Sequence, residues 1–260
     1  SAGYQAFFHT LDSLKLRFQD GAWQAHALSA SRPRVAIDAS PLWQAAPKSP
    51  ALCVALPIDC DPLVAYLKRA VPGEDTRAAG LCGSIASSVG VCWYGDSPLY
   101  APLFVAKTDG KTDKAFLKSL FERLVGNPEA RVPGEAAGED GQGGEVAKAT
   151  RLPPSPVIEA KTTGGTTWSR DVSARFGIRP AAESANKSAM RSSRFFRVRL
   201  ADVDGFLFFS PDDRLVDRAV SVRAKRYPAL ADVLRPAQAS ASFIFFPEKA
   251  AAALKQAMFD

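Results

Sequence analysis

Ala51-Leu52-Cys53-Val54-Ala55-Leu56-Pro57 and Ala241-Ser242-Phe243-Ile244-Phe245-Phe246-Pro247 are the two stretches on which the reading of this chain turns. Each is a short apolar run closed by proline, the length of a buried strand rather than of a helix. Proline has no N–H to give to a ladder, so each strand should stop there. After the first run Leu63, Tyr66, Leu67 and Ala70 recur at helical spacing, and after the second Ala250, Ala253, Leu254, Ala257 and Met258 do the same. Upstream the correspondence continues: a short helix and a proline (Pro47, Pro236) precede each strand, and an Asp-Gly hairpin turn (Asp20-Gly21, Asp204-Gly205) precedes each helix. The fold class expected from this is α+β, with two similar units of mainly antiparallel sheet and helices packed on one face.

Working outward, Leu14 to Phe18 and Ala22 to Ala27 alternate around Asp20-Gly21 as a hairpin, and Val35 to Ile37 reads as a short strand. A helical piece around Leu42, Trp43 and Ala46 should end near Pro47. Val89 to Tyr94 and Tyr100 to Ala106 form a second hairpin around Gly95-Asp96-Ser97-Pro98, and a helix follows from about Thr112 to Val125. Further on come a hairpin from Val157 to Val172, a polar loop over residues 180–193, and a pair formed by Phe195–Leu200 and Gly205–Phe209. Helices are expected near Pro211-Asp212-Asp213 and over Ala229–Leu234. These elements divide the chain into a first unit at residues 1–126, a Gly/Pro/Glu-rich linker or flexible loop at 127–156, and a second unit at 157–260. The second copy stops earlier than the first, so it is expected to be truncated at its C-terminal end.

Composition is that of an ordinary globular protein, with 47% hydrophobic and 23% charged residues. The net charge of +6 arises from 33 basic and 27 acidic residues spread along the chain, too diffuse to name a nucleic acid or a membrane as partner. No stretch approaches the roughly 20 apolar residues that span a bilayer. The chain opens on Ser1-Ala2-Gly3-Tyr4 without an initiating Met, as a processed or excised form would.

The four cysteines, Cys53, Cys60, Cys82 and Cys92, allow three full pairings. Cys53 and Cys92 lie in apolar strands and read as small buried thiols. Cys60 and Cys82 border loops, and they are the pair expected if a disulfide forms. With no Cys-x-x-Cys and only His9 and His26, neither zinc nor any other metal or cofactor is expected.

Motifs that could carry chemistry are weak. Gly110-Lys111-Thr112 opens a helix after a strand, but a phosphate loop also needs glycine at position 105, where Val stands, so a turn with a Thr112 or Asp113 cap is the reading. Ser184-Ala185-Asn186-Lys187 has the Ser-x-x-Lys spacing that brings an amine to a hydroxyl, and Lys161-Thr162-Thr163-Gly164 adds a faint Lys-Thr-Gly, though in reversed order. A serine hydrolase using Ser184 and Lys187 is therefore one alternative function, and no catalytic residue is assigned. Asp59 with Asp61, and Asp212 with Asp213, stand at helix starts as caps. As a strand, Arg194-Phe195-Phe196-Arg197-Val198-Arg199 puts Phe195, Arg197 and Arg199 on one face. Arg194, Phe195, Arg197 and Arg199 are the candidate binding face, and a weak single-stranded nucleic-acid binder is the second alternative.

Three further stretches carry a resemblance: Trp168-Ser169-Arg170-Asp171-Val172-Ser173-Ala174-Arg175-Phe176-Gly177, Gly205-Phe206-Leu207-Phe208-Phe209-Ser210-Pro211-Asp212, and Phe243-Ile244-Phe245-Phe246-Pro247. In these the chain resembles the domain of unknown function 2138 family of uncharacterised bacterial envelope proteins. The resemblance implies a larger parent protein and a location that is periplasmic, or membrane-anchored facing the periplasm through a segment outside this chain. It also implies an accessory role beside α2-macroglobulin-like protease traps. The function expected is a non-enzymatic binding or scaffold module whose partner is another envelope protein. No catalytic residue comes with the resemblance.

Overall fold

A computed structural model describes residues 11–19, 22–29, 37–70, 73–125, 156–173, 195–234 and 242–251. Two strands, β1 (Leu11–Gln19) and β2 (Ala22–Ser29), pair antiparallel with Gln19 opposite Ala22 and form a sheet of their own. The remaining strands are β3 (Leu52–Pro57), β4 (Ile85–Trp93), β5 (Leu103–Thr108), β6 (Ile158–Thr162), β7 (Gly165–Ser173), β8 (Phe195–Val203), β9 (Phe206–Ser210) and β10 (Phe243–Phe245). They make one eight-stranded sheet in the order β10-β3-β4-β5-β9-β8-β7-β6, antiparallel at every junction. The helices with both ends among the described residues are α1 (Ser40–Trp43), α2 (Cys60–Ala70), α3 (Asp75–Ser84), α4 (Lys114–Leu124) and α5 (Asp213–Arg223), and residues 247–251 are helical as well. The class is α+β, as the strand and helix patterning requires.

The expected pair of similar units is not established by this arrangement. β5 pairs with β9, so strands from both halves of the chain share one sheet. The two apolar runs at the start of the argument are themselves neighbours: Phe243 lies opposite Val54, Ile244 opposite Cys53, and Phe245 opposite Leu52. Two apolar strands satisfy their backbone groups in each other, and that pairing does not establish equivalent copies.

Helices also lie on both faces of the sheet rather than on one. Successive strand residues point to opposite faces, and they sort into two cores. Cys53, Ala55, Cys92, Leu103, Val105, Ala201, Val203, Phe206 and Phe208 share a cluster with Leu42 and Trp43 of α1 and with Leu215, Val216, Ala219 and Val220 of α5. Ala106, Leu207, Val198, Trp168 and Val172, from the opposite face, share the other with Leu67 of α2, Ala78 and Leu81 of α3, and Phe116, Leu117, Leu120 and Phe121 of α4. Each large apolar side chain so buried contributes about 1.5–3 kcal/mol. Because β5 and β9 have apolar residues on both faces, covering only one face would leave the other in water.

Local chemistry fixes the ends. Asp113 caps α4 by accepting from the Phe116 N–H at 3.0 Å, and Asp212 caps α5 by accepting from the Arg214 N–H at 3.1 Å. Asp204 and Gly205, with φ of 49° and 73°, form the two-residue turn between β8 and β9, where two left-handed residues match the twist of the strands. A Cβ at Gly90 would lie 3.3 Å from the Trp43 ring, so glycine there lets α1 settle directly on β4. The expected helix over Ala229–Leu234 shrinks to a 3-10 turn at Ala231–Val233. The expected linker at 127–156 lies outside the described residues except for its last position, and so do the loop at 180–193 and most of the Val35–Ile37 strand.

Candidate interaction surface

On β8 the basic residues are engaged within the molecule. Arg197 forks onto Asp171 of the neighbouring strand, with Nε to Oδ1 at 2.7 Å and a second nitrogen to Oδ2 at 3.1 Å. Hydrogen bonding to Arg197 holds the Asp171 carboxyl below its ordinary value, and Asp171 raises Arg197 in return. Arg199 reaches across to α5, where it is hydrogen-bonded to Asp217 and 3.7 Å from Asp213. Partial desolvation raises the Asp217 carboxyl even against the attraction of Arg199, although much of the side chain still faces water. Two of the candidate cations are therefore neutralised by carboxylates, which leaves less charge for phosphates. Arg194 and the side chain of Phe195 lie outside the described residues.

Ser184 and Lys187 also fall outside the described residues, as does His9, whereas Lys161 is an exposed residue of the edge strand β6. At Gly110-Lys111-Thr112 the loop is tied inward: the Lys111 N–H donates to Asp109 at 2.9 Å and the Thr112 hydroxyl to buried Asp202 at 2.7 Å. Asp59 accepts from the Asp61 N–H at 3.3 Å at the start of α2. Among the described residues no three His, Cys, Asp or Glu side chains gather as a metal would need. Nor is any helix among them long and apolar enough to cross a membrane.

All four cysteines are oxidised. Cys60, the first residue of α2, is joined to Cys82 in the last turn of α3, with Cα atoms 5.8 Å apart. Cys53 and Cys92 stand directly opposite in β3 and β4, Cα atoms 4.2 Å apart, and form the second disulfide. This corrects the reading of these two as buried thiols. Alternation placed both in apolar strands, but only the register placed them side by side.

A second surface was not singled out by sequence. One lateral row of side chains crosses the whole sheet: Phe243, Val54, Val91, Phe104, Phe209, Leu200, Trp168 and Glu159, each opposite the next. Cross-strand partners share a face. At the Trp168 end, on the face that carries α4, the row is sealed, and Trp168 is 1% exposed. Toward β10 the described residues leave the row partly open. Phe243 is 44%, Phe245 47%, Leu56 49% and Phe104 37% exposed, and all four point to this same face. The Phe243 and Phe245 rings stack at 6.4 Å, and Phe104 packs on Phe209 at 5.9 Å. An aromatic patch carried on a sheet, outside a well-filled core, is a surface suited to protein contact. The available signal was Phe243-Ile244-Phe245-Phe246, apolar on both faces of a strand at the end of a sheet.

Fold and surface together define a disulfide-bonded α+β protein with an open antiparallel sheet and an exposed apolar strip at one edge. The chain belongs to the bacterial family described as "Uncharacterized protein conserved in bacteria (DUF2138)", which matches it over residues 1–260. It is 28% identical over 240 residues to the protein described as "Uncharacterized protein YfaA" of Escherichia coli (strain K12), covering 89% of this chain. The chain spans 38% of the length of that relative. No solved structure matches it.

Proposed function

We propose that the chain is a non-enzymatic binding or scaffold module of the bacterial envelope, facing the periplasm and accessory to an α2-macroglobulin-like protease-trap system. The observation that carries the binding role is the exposed half of the apolar row, where Phe243, Phe245, Leu56 and Phe104 face solvent from one side of the sheet. Two disulfides that use every cysteine support an oxidising compartment, since cytosolic thiols are kept reduced. The partner in this reading is another envelope protein that covers the strip.

The experiment is capture of the partner from native cells with the full-length protein and with a Phe243→Lys/Phe245→Lys variant. Both side chains are about half exposed, so folding stability should change by about 1 kcal/mol or less per site. Recovery of the partner should fall at least about tenfold, which corresponds to the loss of one aromatic anchor. Undiminished recovery by the folded variant would remove the strip from the proposal. Labelling of Ser184 by a fluorophosphonate or penicillin probe would replace the scaffold with a hydrolase, and salt-sensitive binding of single-stranded oligonucleotides would favour the β8 face. Free alkylation of the four cysteines in protein taken from native cells without reductant would overturn the compartment.

A further inference from the structure

The two disulfides sit in opposite environments. Cys53 and Cys92 are 0% exposed in inner strands, with β10 and β4 on either side of β3, and β3 and β5 on either side of β4. A thiolate can reach their sulfurs only if the sheet opens. Cys60 is exposed, at the first residue of α2, and its partner Cys82 is buried in α3.

Helix α2 is held loosely apart from that bond. Of its described side chains Leu67 alone is fully buried, with Leu63 and Val64 half-buried, while Asp61, Pro62, Ala65, Tyr66 and Lys68 are exposed. It rests on α3 and α4 as the outer member of the helical layer. Leu67 and Leu63 meet the apolar cluster of Leu81, Phe116 and Leu117. The ion pair from Lys68 to Asp75 at 3.5 Å is exposed and contributes little. An element with so few buried contacts belongs to the low-stability end of a fold.

We propose that Cys60–Cys82 is a reducible latch, a site of exchange for a protein dithiol, whose opening releases α2 and uncovers the apolar side of α3 and α4. In the exchange a thiolate of the dithiol attacks Cys60 Sγ, forming a mixed disulfide. The Cys60–Cys82 bond breaks, its electron pair leaves on Cys82 Sγ, and that sulfur takes a proton. The second thiol of the dithiol then attacks the mixed disulfide, closing the dithiol's own disulfide and returning Cys60 as a thiol. Two electrons pass from the dithiol to the cystine, and no other reactant is required. Cys53–Cys92 stays closed throughout, so the sheet keeps its register while the helical layer changes.

The test uses the oxidised full chain in native buffer with dithiothreitol as the dithiol, quenched with N-ethylmaleimide at timed intervals and mapped by mass. Cys60 and Cys82 should be labelled at least about tenfold faster than Cys53 and Cys92. After that selective reduction, amide exchange over residues 60–70 should accelerate at least about tenfold while β3 and β4 remain protected. Equal labelling rates, or reduction of Cys60–Cys82 only in denaturant, would overturn the proposal. So would selective reduction with unchanged exchange in α2, which would make the bond accessible but not a latch. A Cys60→Ser/Cys82→Ser variant should show the fast α2 exchange without any reductant, and a slow α2 in that folded variant would overturn the latch independently.

Discussion

Gly164 and Gly165 sit where the turn between β6 and β7 crosses the turn between β8 and β9, and the Gly164 carbonyl accepts from the Asp204 N–H at 3.1 Å. A Cβ on Gly165 would stand 1.9 Å from the Asp202 carbonyl oxygen, a backbone atom that cannot yield without breaking the ladder. A Cβ on Gly164 would stand 2.2 Å from the Asp204 carboxylate, a side-chain end that can swing away, but the residue has φ of 85°. Gly165→Ala should therefore cost about 3 kcal/mol or more, and Gly164→Ala about 1–2 kcal/mol, both read by denaturant unfolding. Single residues also set the acid response. Hydrogen bonds from Arg197 and Arg218 hold Asp171 and Asp96 below their ordinary 3.8, so the native state binds fewer protons than the unfolded chain. Stability from both pairs is complete above that value and is lost as pH falls through the lower folded values. Asp217 acts with the opposite sign, because partial desolvation raises its carboxyl and its contribution improves as pH falls. An Arg197→Met variant should lose part of the acid-dependent destabilisation below about pH 4, less than about 1 kcal/mol since the pair is partly exposed. Unfolding curves across that range, wild type against variant, measure it.

At the scale of elements, α3 is held by tertiary contacts more than by its own pattern. Its sequence, Asp75-Thr76-Arg77-Ala78-Ala79-Gly80-Leu81-Cys82-Gly83-Ser84, carries two glycines and only Ala78, Leu81 and Cys82 as buried apolar residues, so helical periodicity does not announce it. Contact with α2 and β4 supplies what propensity lacks. The amphipathic helices α4 and α5 are the contrary case, legible from their spacing and their Asp caps. The disulfides act between elements, one from strand to strand and one from helix to helix. Their sequence separations are 39 for Cys53–Cys92 and 22 for Cys60–Cys82. Chain-entropy reasoning puts the losses at about 3.9 and about 3.4 kcal/mol. Cys53→Ala/Cys92→Ala should therefore lower the melting temperature more than Cys60→Ala/Cys82→Ala, and core packing lost beside Trp43 should widen the gap. Calorimetry of the two double variants decides the order.

Across the whole molecule, cohesion comes from sharing. β5 and β9 join the two halves of the chain edge to edge, and each of the two cores takes residues from both halves. Neither half can keep its apolar faces dry alone, so the described sheet and its helices should unfold in one transition, with calorimetric and van't Hoff enthalpies equal. Two resolved transitions would instead support independent units at 1–126 and 157–260. The exposed strip belongs to this scale too. Phe104 and Phe243 lie far apart in sequence and face one surface only because β5, β4, β3 and β10 stand side by side.

The amino-acid sequence by itself determined the α+β class, most strands and long helices, the Asp-Gly turn between β8 and β9, and the acidic caps. Each of these depends on neighbours within a few residues, where periodicity, proline and φ preference act directly. Only the tertiary structure decided which strands pair, and therefore that Cys53 meets Cys92, that Arg197 and Arg199 are neutralised by Asp171, Asp213 and Asp217, and that one half of an apolar row stays open. Register and sheet order are contacts between residues distant along the chain, and hydrophobic burial, being non-directional, tells each strand which face to hide without naming its neighbour.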